Sequence, residues 1–211
     1  MSSDCVSCFG KVPDPSTDAP TTEPFHMIYK LVKQLGAGGY GKVWLVQHIA
    51  NRTYHAAKMV PDKKCRRKTW CEKRREYVPD EAVFWEPLDH PNIIKLQEVY
   101  YEAKLKLWIY IMEHDPHYID IFALTEYTGT LSIEDTKCIL RQTVGVCSYL
   151  IGEGIDHRDI KDENIMWSPI KKQIKLIDFG SASVYNSSTP YNIFQVIFNL
   201  IKSIFRKEPT S

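Results

Sequence analysis

The segment that most constrains this chain is an octapeptide at positions 157–164, His-Arg-Asp-Ile-Lys-Asp-Glu-Asn. The tripeptide Asp178-Phe179-Gly180 begins fourteen residues after Asn164. A lone Asp or Asn in a loop is usually a turn residue. Turn formation does not explain why Asp159, Lys161, Asn164 and Asp178 occur together at these offsets. The region is therefore predicted to contain catalytic or ligand-binding residues.

A glycine run in the first half of the chain supplies a second signal, with the members Gly36, Ala37, Gly38, Gly39, Tyr40 and Gly41. A Gly-x-Gly-x-x-Gly pattern opens a helix in dinucleotide-binding folds and caps a hairpin in others. The residues after Gly41 favour β-structure, so a hairpin is predicted. Glycines let backbone N–H groups approach a phosphate closely. An ordinary glycine hairpin is the alternative interpretation.

Lys58 follows two alanines at the end of a predicted strand, 54–60. An inward-facing lysine in an apolar strand is costly without a partner. We predict that it neutralises phosphate charge and pairs with Glu81, on a short helix beginning at Pro79, a residue suited to the first helical position. A solvated surface cation is the alternative for any single lysine.

These pieces together supply what phosphoryl transfer from ATP requires. Asp159 would accept or orient the hydroxyl proton of a substrate, and Lys161 would balance charge on the moving phosphoryl group. Asn164 and Asp178 offer oxygen ligands of the kind that Mg²⁺ prefers. We therefore expect Lys58 and Asp178 to converge on one triphosphate.

Composition excludes several classes of partner. The 211 residues carry a formal net charge of +1, and no apolar run approaches a membrane span. We expect no nucleic-acid partner, no membrane span, a monomer, and a cytoplasmic location with reduced cysteines. The basic run 63–68, resumed at 73–75, is predicted to be a solvated face; nuclear import or an acidic partner is the alternative.

Hydrophobic periodicity predicts a sheet-rich first half and a helical second half, with a cleft between two lobes. Strands are expected over 28–35, 43–49, 54–60, 93–101 and 105–112, and two short ones over 165–167 and 174–177. Ser132 and Asp135 resemble a capping box that opens a helix through about residue 151. The apolar face of that helix is predicted to contain Ile139, Leu140, Thr143, Val144, Cys147 and Leu150.

The segments 159–164 and 176–181 and the dipeptide Val78-Pro79 resemble eukaryotic serine/threonine protein kinases, nearest the Pim-like and PAS-domain branch. The resemblance implies an α+β, two-lobe, protein-kinase-like fold. The small lobe would be complete, with a five-stranded antiparallel sheet and a C-helix, and the large lobe truncated. The implied division is a disordered leader (1–24), a small lobe (25–112), a hinge (113–119), a partial large lobe (120–185) and an atypical apolar tail (186–211).

The resemblance also implies a nucleotide site and a protein substrate with a Ser or Thr acceptor. Met112 would be the gatekeeper, and Asp120 would face the ribose. Backbone groups of the hinge residues Glu113, His114 and Asp115 would bind adenine. Apolar side chains would line the adenine slot, with Leu35, Val43 and Ala56 above the ring and Met166 and Ile177 below it. The Pim hinge has a proline at the position of Asp115, so a second hinge hydrogen bond is expected here.

Two departures from the family pattern bear on function. Asp156 precedes the octapeptide where the family has an apolar residue, and Arg158 or a lysine is expected to pair with it. After Tyr185 the sequence has no Ala-Pro-Glu closure, but an apolar stretch, 191–205. That stretch either fills part of the core, never packs well, or binds a membrane surface or partner. The alternative function is a nucleotide-binding pseudokinase or scaffold.

Overall fold

The structure is a computed structural model and describes residues 24–39, 41–72, 74–186 and 193–204. Residues 1–23 of the predicted leader and Tyr40 of the glycine run lie outside the described residues. In chain order the elements are α1 (Phe25–Ile28), β1 (Tyr29–Gly38), β2 (Gly41–His48), β3 (Tyr54–Pro61), β4 (Lys68–Cys71), β5 (Glu76–Pro79), α2 (Asp80–Trp85), β6 (Leu96–Glu102), β7 (Leu107–Glu113), β8 (Ile119–Asp120), α3 (Ile121–Thr128), α4 (Ile133–Gly152), β9 (Ile155–Asp156), β10 (Ile165–Ser168), β11 (Gln173–Leu176), β12 (Ser183–Val184) and α5 (Ile193–Ile204).

Five strands form one antiparallel sheet in the order β1-β2-β3-β7-β6. The predicted five-stranded sheet is therefore confirmed. β3 and β7 lie at its centre and are the most buried strands, as their nearly continuous apolar sequences require. Ala57 of β3 and Tyr110 and Ile111 of β7 are wholly buried, as is Val46 on the neighbouring strand β2. This rigid central pair carries Lys58 on β3 and Met112 on β7.

The basic residues of the run 63–68, predicted to be a solvated face, are exposed: Lys63, Lys64, Arg66, Arg67 and Lys68. The sequence did not predict the two-stranded hairpin β4–β5 in this region, in which Trp70 pairs with Tyr77 and their rings meet edge to face. Charged residues between the aromatic ones hid the strand alternation. The helix α2 begins at Asp80, one residue later than predicted, because Pro79 has an extended ψ of 140° and ends the strand β5.

The long helix α4 confirms the predicted cap, since the Ser132 side chain accepts a hydrogen bond from the Asp135 N–H at 3.0 Å. One member of its predicted apolar face is wrong. Val144 is exposed, and Val146 is buried instead. The buried stripe runs through Ile139, Thr143, Val146 and Leu150, which is the spacing of one helix face.

The helix α5 packs against α3 and α4. Leu200 and Ile204 are each only 1% exposed and belong to the main core, whereas Phe198 faces solvent. Of the three interpretations of the apolar stretch, the structure supports the one in which it fills part of the core. Among the described residues, no helix has both the length and the apolar character needed to cross a membrane.

Candidate functional site

Lys58 lies at the centre of a charged cluster that joins three elements. Its Nζ is 2.5 Å from Glu81 Oε1 on α2 and 2.8 Å from Asp178 Oδ1 in the loop after β11. Lys58 itself is 8% exposed. The predicted contact between Lys58 and Glu81 is confirmed, and the predicted convergence of Lys58 and Asp178 is observed directly.

The electrostatics of this cluster keep the lysine charged. Burial alone would lower the pKa of Lys58, but the two adjacent carboxylates outweigh it and raise that pKa above its usual value. Burial likewise acts to raise the pKa of Asp178, and the Lys58 ammonium outweighs it, so that this pKa is lowered. Lys58 is therefore a cation and Asp178 an anion near neutral pH.

The octapeptide holds Asp159 by two neighbours within the same loop. Asn164 Nδ2 donates to Asp159 Oδ2 at 2.9 Å and to the Asp159 carbonyl at 2.8 Å. Lys161 Nζ lies 3.1 Å from the same carboxylate. Because both partners of Asn164 Nδ2 are acceptors, the amide orientation is determined, and the Asn164 side-chain oxygen points elsewhere.

The two candidate metal ligands are brought together by the β10–β11 pair. Ile165 pairs with Leu176 across these strands, and the Ile177 N–H donates to the Asn164 carbonyl at 3.0 Å. Asp178 therefore follows a residue bonded to Asn164. Lys58 and the Gly180 N–H occupy Asp178 Oδ1, which leaves Oδ2 for a cation.

This donor set fits Mg²⁺. A carboxylate and an amide oxygen are hard ligands, and Mg²⁺ usually takes one or two protein ligands together with substrate phosphates and water. In the described part of the chain, no group of three or more His, Cys, Asp or Glu side chains could hold a metal without such help. The site therefore suits a cation that arrives with phosphate.

His157 and Phe179 are structural parts of the site that sequence reasoning left without a role. Phe179 is buried, stacks on Trp85 of α2 with ring centroids 5.8 Å apart, and meets His157 edge to face at 4.9 Å. His157 Nδ1 accepts from the Asp159 N–H, so Nε2 carries the proton and donates to the Ile177 carbonyl at 3.2 Å. Burial lowers the pKa of His157 to about 4, and the ring is neutral.

Two residues of the site have left-handed backbone conformations. Arg158 has φ of 64° and Asp178 has φ of 65°. Such values are uncommon outside glycine and mark sites where the surrounding contacts hold the chain. The predicted pairing of Asp156 is confirmed, since Arg158 Nε lies 3.5 Å from its carboxylate. The sequence analysis did not predict these conformations.

The glycines of the run have different surroundings. A Cβ at Gly41 would lie 2.1 Å from the Met59 carbonyl oxygen of β3, whereas Gly36 and Gly38 face open space. Gly41 is therefore required by strand packing, and Gly36 and Gly38 leave room for a ligand. Lys64, in the 3₁₀ turn after β3, donates to the Gly39 carbonyl at 2.7 Å and ties the turn to the sheet.

The predicted adenine slot has its parts on adjacent strands. Ala56 of β3 pairs with Met112 of β7, and both are buried. Met166 pairs with Asp120 across β10 and β8, while Leu35 is exposed. The further predicted members Val43 and Ile177 are half-buried beside the main core.

Several polar groups of the predicted hinge residues Glu113 and Asp115 already have partners within the protein. The Glu113 N–H donates to the Lys95 carbonyl, and its carboxylate accepts from Lys175 at 2.7 Å; a contact from Glu113 to adenine therefore falls to its carbonyl. The Asp115 carboxylate binds Lys171 and His117, and the Lys171 ammonium holds the pKa of Asp115 well below its usual range. Within the described residues the Asp115 N–H has no partner.

Asp120 has a second task that the sequence did not suggest. Its Oδ1 accepts from the Ala123 N–H at 2.7 Å and caps α3. One oxygen of Asp120 is thus used by the helix, and only the other remains for a ribose.

The family described as Protein kinase domain matches residues 29–199. Serine/threonine-protein kinase PSK1 of Saccharomyces cerevisiae is 32% identical over 197 residues, covering 90% of this chain and 14% of that protein. Sperm motility kinase 2A of Mus musculus is 32% identical over 174 residues, covering 82% of this chain and 32% of that protein.

The PAS domain-containing serine/threonine-protein kinase of Mus musculus is 33% identical over 156 residues, covering 74% of this chain and 11% of that protein. The chain thus spans at most about a third of the length of these relatives. The family match covers most of the chain and includes every element that contributes to the Lys58 cluster. The chain belongs to the protein kinase family.

Proposed function

We propose that this chain binds ATP with Mg²⁺ and transfers the γ-phosphate to serine or threonine hydroxyls of a protein substrate. The observation that carries the proposal is the placement of the Lys58 ammonium against both Glu81 and Asp178. Such a cluster offers one cation for the phosphates and one carboxylate for a metal ion, as phosphoryl transfer requires. The names of the similar kinases support the choice of acceptor.

Each residue has a separate task in this proposal. Lys58, held by Glu81, neutralises the nucleotide phosphates, and the N–H groups of the glycine run cover them. Asp159 accepts or orients the proton of the acceptor hydroxyl, and Lys161 balances charge on the moving phosphoryl group. Mg²⁺, held by Asn164 and Asp178, would supply further charge neutralisation. Catalysis of this kind is mainly positioning and electrostatic stabilisation.

The kinase branch, the lobe boundaries, the oligomeric state and the cellular location are proposed as well. We place the chain nearest the Pim-like and PAS-domain kinases, supported by its similarity to PSK1 and to the mouse PAS domain-containing kinase. Residues 113–119 would form the hinge between a small lobe, 25–112, and a partial large lobe, 120–185. The chain would act as a monomer in the cytoplasm. Size-exclusion chromatography and imaging of the tagged chain test these last two statements.

The test uses the purified 211-residue chain and its Asp159→Asn variant. Thermal unfolding is measured with and without Mg-ATP, and transfer of labelled phosphate to a mixture of basic Ser/Thr peptides is followed in parallel. We expect Mg-ATP to raise the melting temperature of both proteins, and transfer by the unsubstituted chain alone.

Three results would count against the proposal. Stabilisation by Mg-ATP without transfer indicates a nucleotide-binding scaffold. The absence of stabilisation indicates that the cluster around Lys58 does not bind a nucleotide. Transfer that persists in Asp159→Asn would reject the role given to Asp159.

A further inference from the structure

The side chain of Arg67 connects two segments that carry site residues. Its Nε lies 3.1 Å from Asp80 Oδ2, at the first residue of α2. Its Nη2 donates to the carbonyl of Ala182, in the segment that follows Asp178, at 3.2 Å. The Asp80 N–H also donates to the Arg67 carbonyl at 3.1 Å. One arginine thus holds the start of a helix and the end of a loop.

Both attachment points are next to partners of Lys58. Glu81 directly follows Asp80. The Ala182 N–H donates to the Phe179 carbonyl at 3.0 Å and closes the turn that begins at Phe179, the residue after Asp178. A shift of either attachment point would therefore move a carboxylate that contacts the Lys58 ammonium.

Packing alone does not hold these two segments together on this side. A cavity of about 230 Å³ lies between them, with Glu81, Gly180 and Ala182 in its lining beside Arg67. Elsewhere the two segments are joined by the Trp85–Phe179 stack and by Lys58, which contacts Glu81 and Asp178. Beside the cavity, Arg67 makes polar contacts to both segments, and such groups set relative position where apolar contacts are few.

We propose that Arg67 is a positioning residue, which sets the alignment of Glu81 with Asp178 by bridging α2 and the segment after Phe179. The inference rests on the proposed function, because alignment matters only where the cluster acts on phosphate. It also gives part of the basic run 63–68 a task other than solvation. The two contacts use two different nitrogens of one planar guanidinium, which the single ammonium of a lysine cannot reproduce.

The exposed position of Arg67 allows its side chain to be replaced with little effect on global stability. The Arg67 side chain is 58% exposed, and an ion pair at such a surface contributes little to overall stability. Replacement should therefore leave the fold intact and act locally. Arg67→Met keeps the length and removes the guanidinium, and Arg141→Met on the exposed side of α4 is the matched control.

The decisive measurement is hydrogen–deuterium exchange in the full chain, on peptides that cover residues 178–184. We expect Arg67→Met and Arg67→Lys to increase exchange there by about tenfold, with Arg141→Met unchanged. In the transfer assay we expect kcat to fall about tenfold in both Arg67 variants while the Kd for Mg-ATP changes less than about threefold. A loss of global stability would not produce this split.

Exchange in Arg67→Met equal to that of the unsubstituted chain would overturn the inference. Full recovery of kcat by Arg67→Lys would overturn it as well, because a single ammonium would then suffice. If the unsubstituted chain transfers no phosphate, the proposed function fails, and exchange alone still decides whether Arg67 holds the segment.

Discussion

Lys58 Nζ lies 2.8 Å from Asp178 Oδ1, although the two residues are 120 positions apart in the sequence. Lys58 is fixed by the centre of the sheet, and Asp178 by the turn after β11. Their contact joins the sheet-rich part of the chain to its helical part at one point. The role of that point is open to direct test by single substitutions.

Loss of any charged member of the site should abolish most activity. We expect Lys58→Met, Asp159→Asn and Asp178→Asn each to lower phosphotransfer by a factor on the order of a hundred or more, because each removes charge stabilisation or positioning at the reacting group. Lys42→Met, at an exposed position on β2, is the control and should retain activity. Steady-state transfer rates at saturating ATP provide the measurement, and unimpaired turnover in all three variants would refute the assigned roles.

Alanine substitutions at two glycines of the run should differ in their effect on the free energy of unfolding. Gly41→Ala places a Cβ 2.1 Å from the Met59 carbonyl oxygen and should lower the free energy of unfolding by about 1–3 kcal/mol. Gly38→Ala meets no atom within 4 Å and should leave stability nearly unchanged while weakening Mg-ATP binding. Chemical denaturation and nucleotide titration distinguish the two, and equal stability of both variants would contradict the packing role of Gly41.

The apolar stretch near residue 200 can be tested as part of the core. Leu200→Ala removes a side chain that is 1% exposed and should cost about 2–5 kcal/mol. Phe198→Ala removes a side chain that is 54% exposed and should change the free energy of unfolding by less than about 1 kcal/mol. Urea unfolding gives both values. Similar small effects at the two positions would mean that α5 does not contribute to the core.

Acid should destabilise the fold through His157. Burial lowers the pKa of this imidazole from 6.5 to about 4, against the upward pull of Asp178, Asp159 and Asp156. Between these two values the unfolded chain binds a proton that the folded chain does not, so stability is lost as the pH falls. The loss attributable to His157 is on the order of 3 kcal/mol.

The check is the free energy of unfolding of the unsubstituted chain and of His157→Asn from pH 7 to pH 4. The variant is less stable at pH 7, because it loses the contacts to Phe179 and Ile177. Its slope between pH 6.5 and pH 4 should be smaller than that of the unsubstituted chain. Parallel slopes would show that another group dominates the acid response.

The strands and the residues of the Lys58 cluster were predictable because their signals are local. Alternation predicted the five strands, and the joint occurrence of Lys58, Glu81, the octapeptide and Asp178 predicted which side chains meet. The hairpin β4–β5 was missed because charges interrupt its apolar positions. Val146 replaces Val144 on α4 because the helix faces its neighbours at an angle that periodicity alone does not determine.

Other features depend on distant partners and have no sequence signature. The bridge from Arg67 to Asp80 and Ala182 arises only after the chain folds, and in the sequence Arg67 is one cation among several. Arg158 and Asp178 have a left-handed backbone, which is uncommon for any residue other than glycine and is held by the surrounding contacts. Asp120 shows the converse case, in which a residue expected to face a ligand also completes a helix end.

The register of β3 with β7 has a further consequence for ligand size. Ala56 pairs with Met112 and Lys58 with Tyr110, so the position proposed to face the base and the position proposed to contact phosphate are two residues apart on one strand. Strand pitch sets their separation at about 6.6 Å along the backbone. This spacing is fixed by the ladder of the sheet, so loop motion cannot change it.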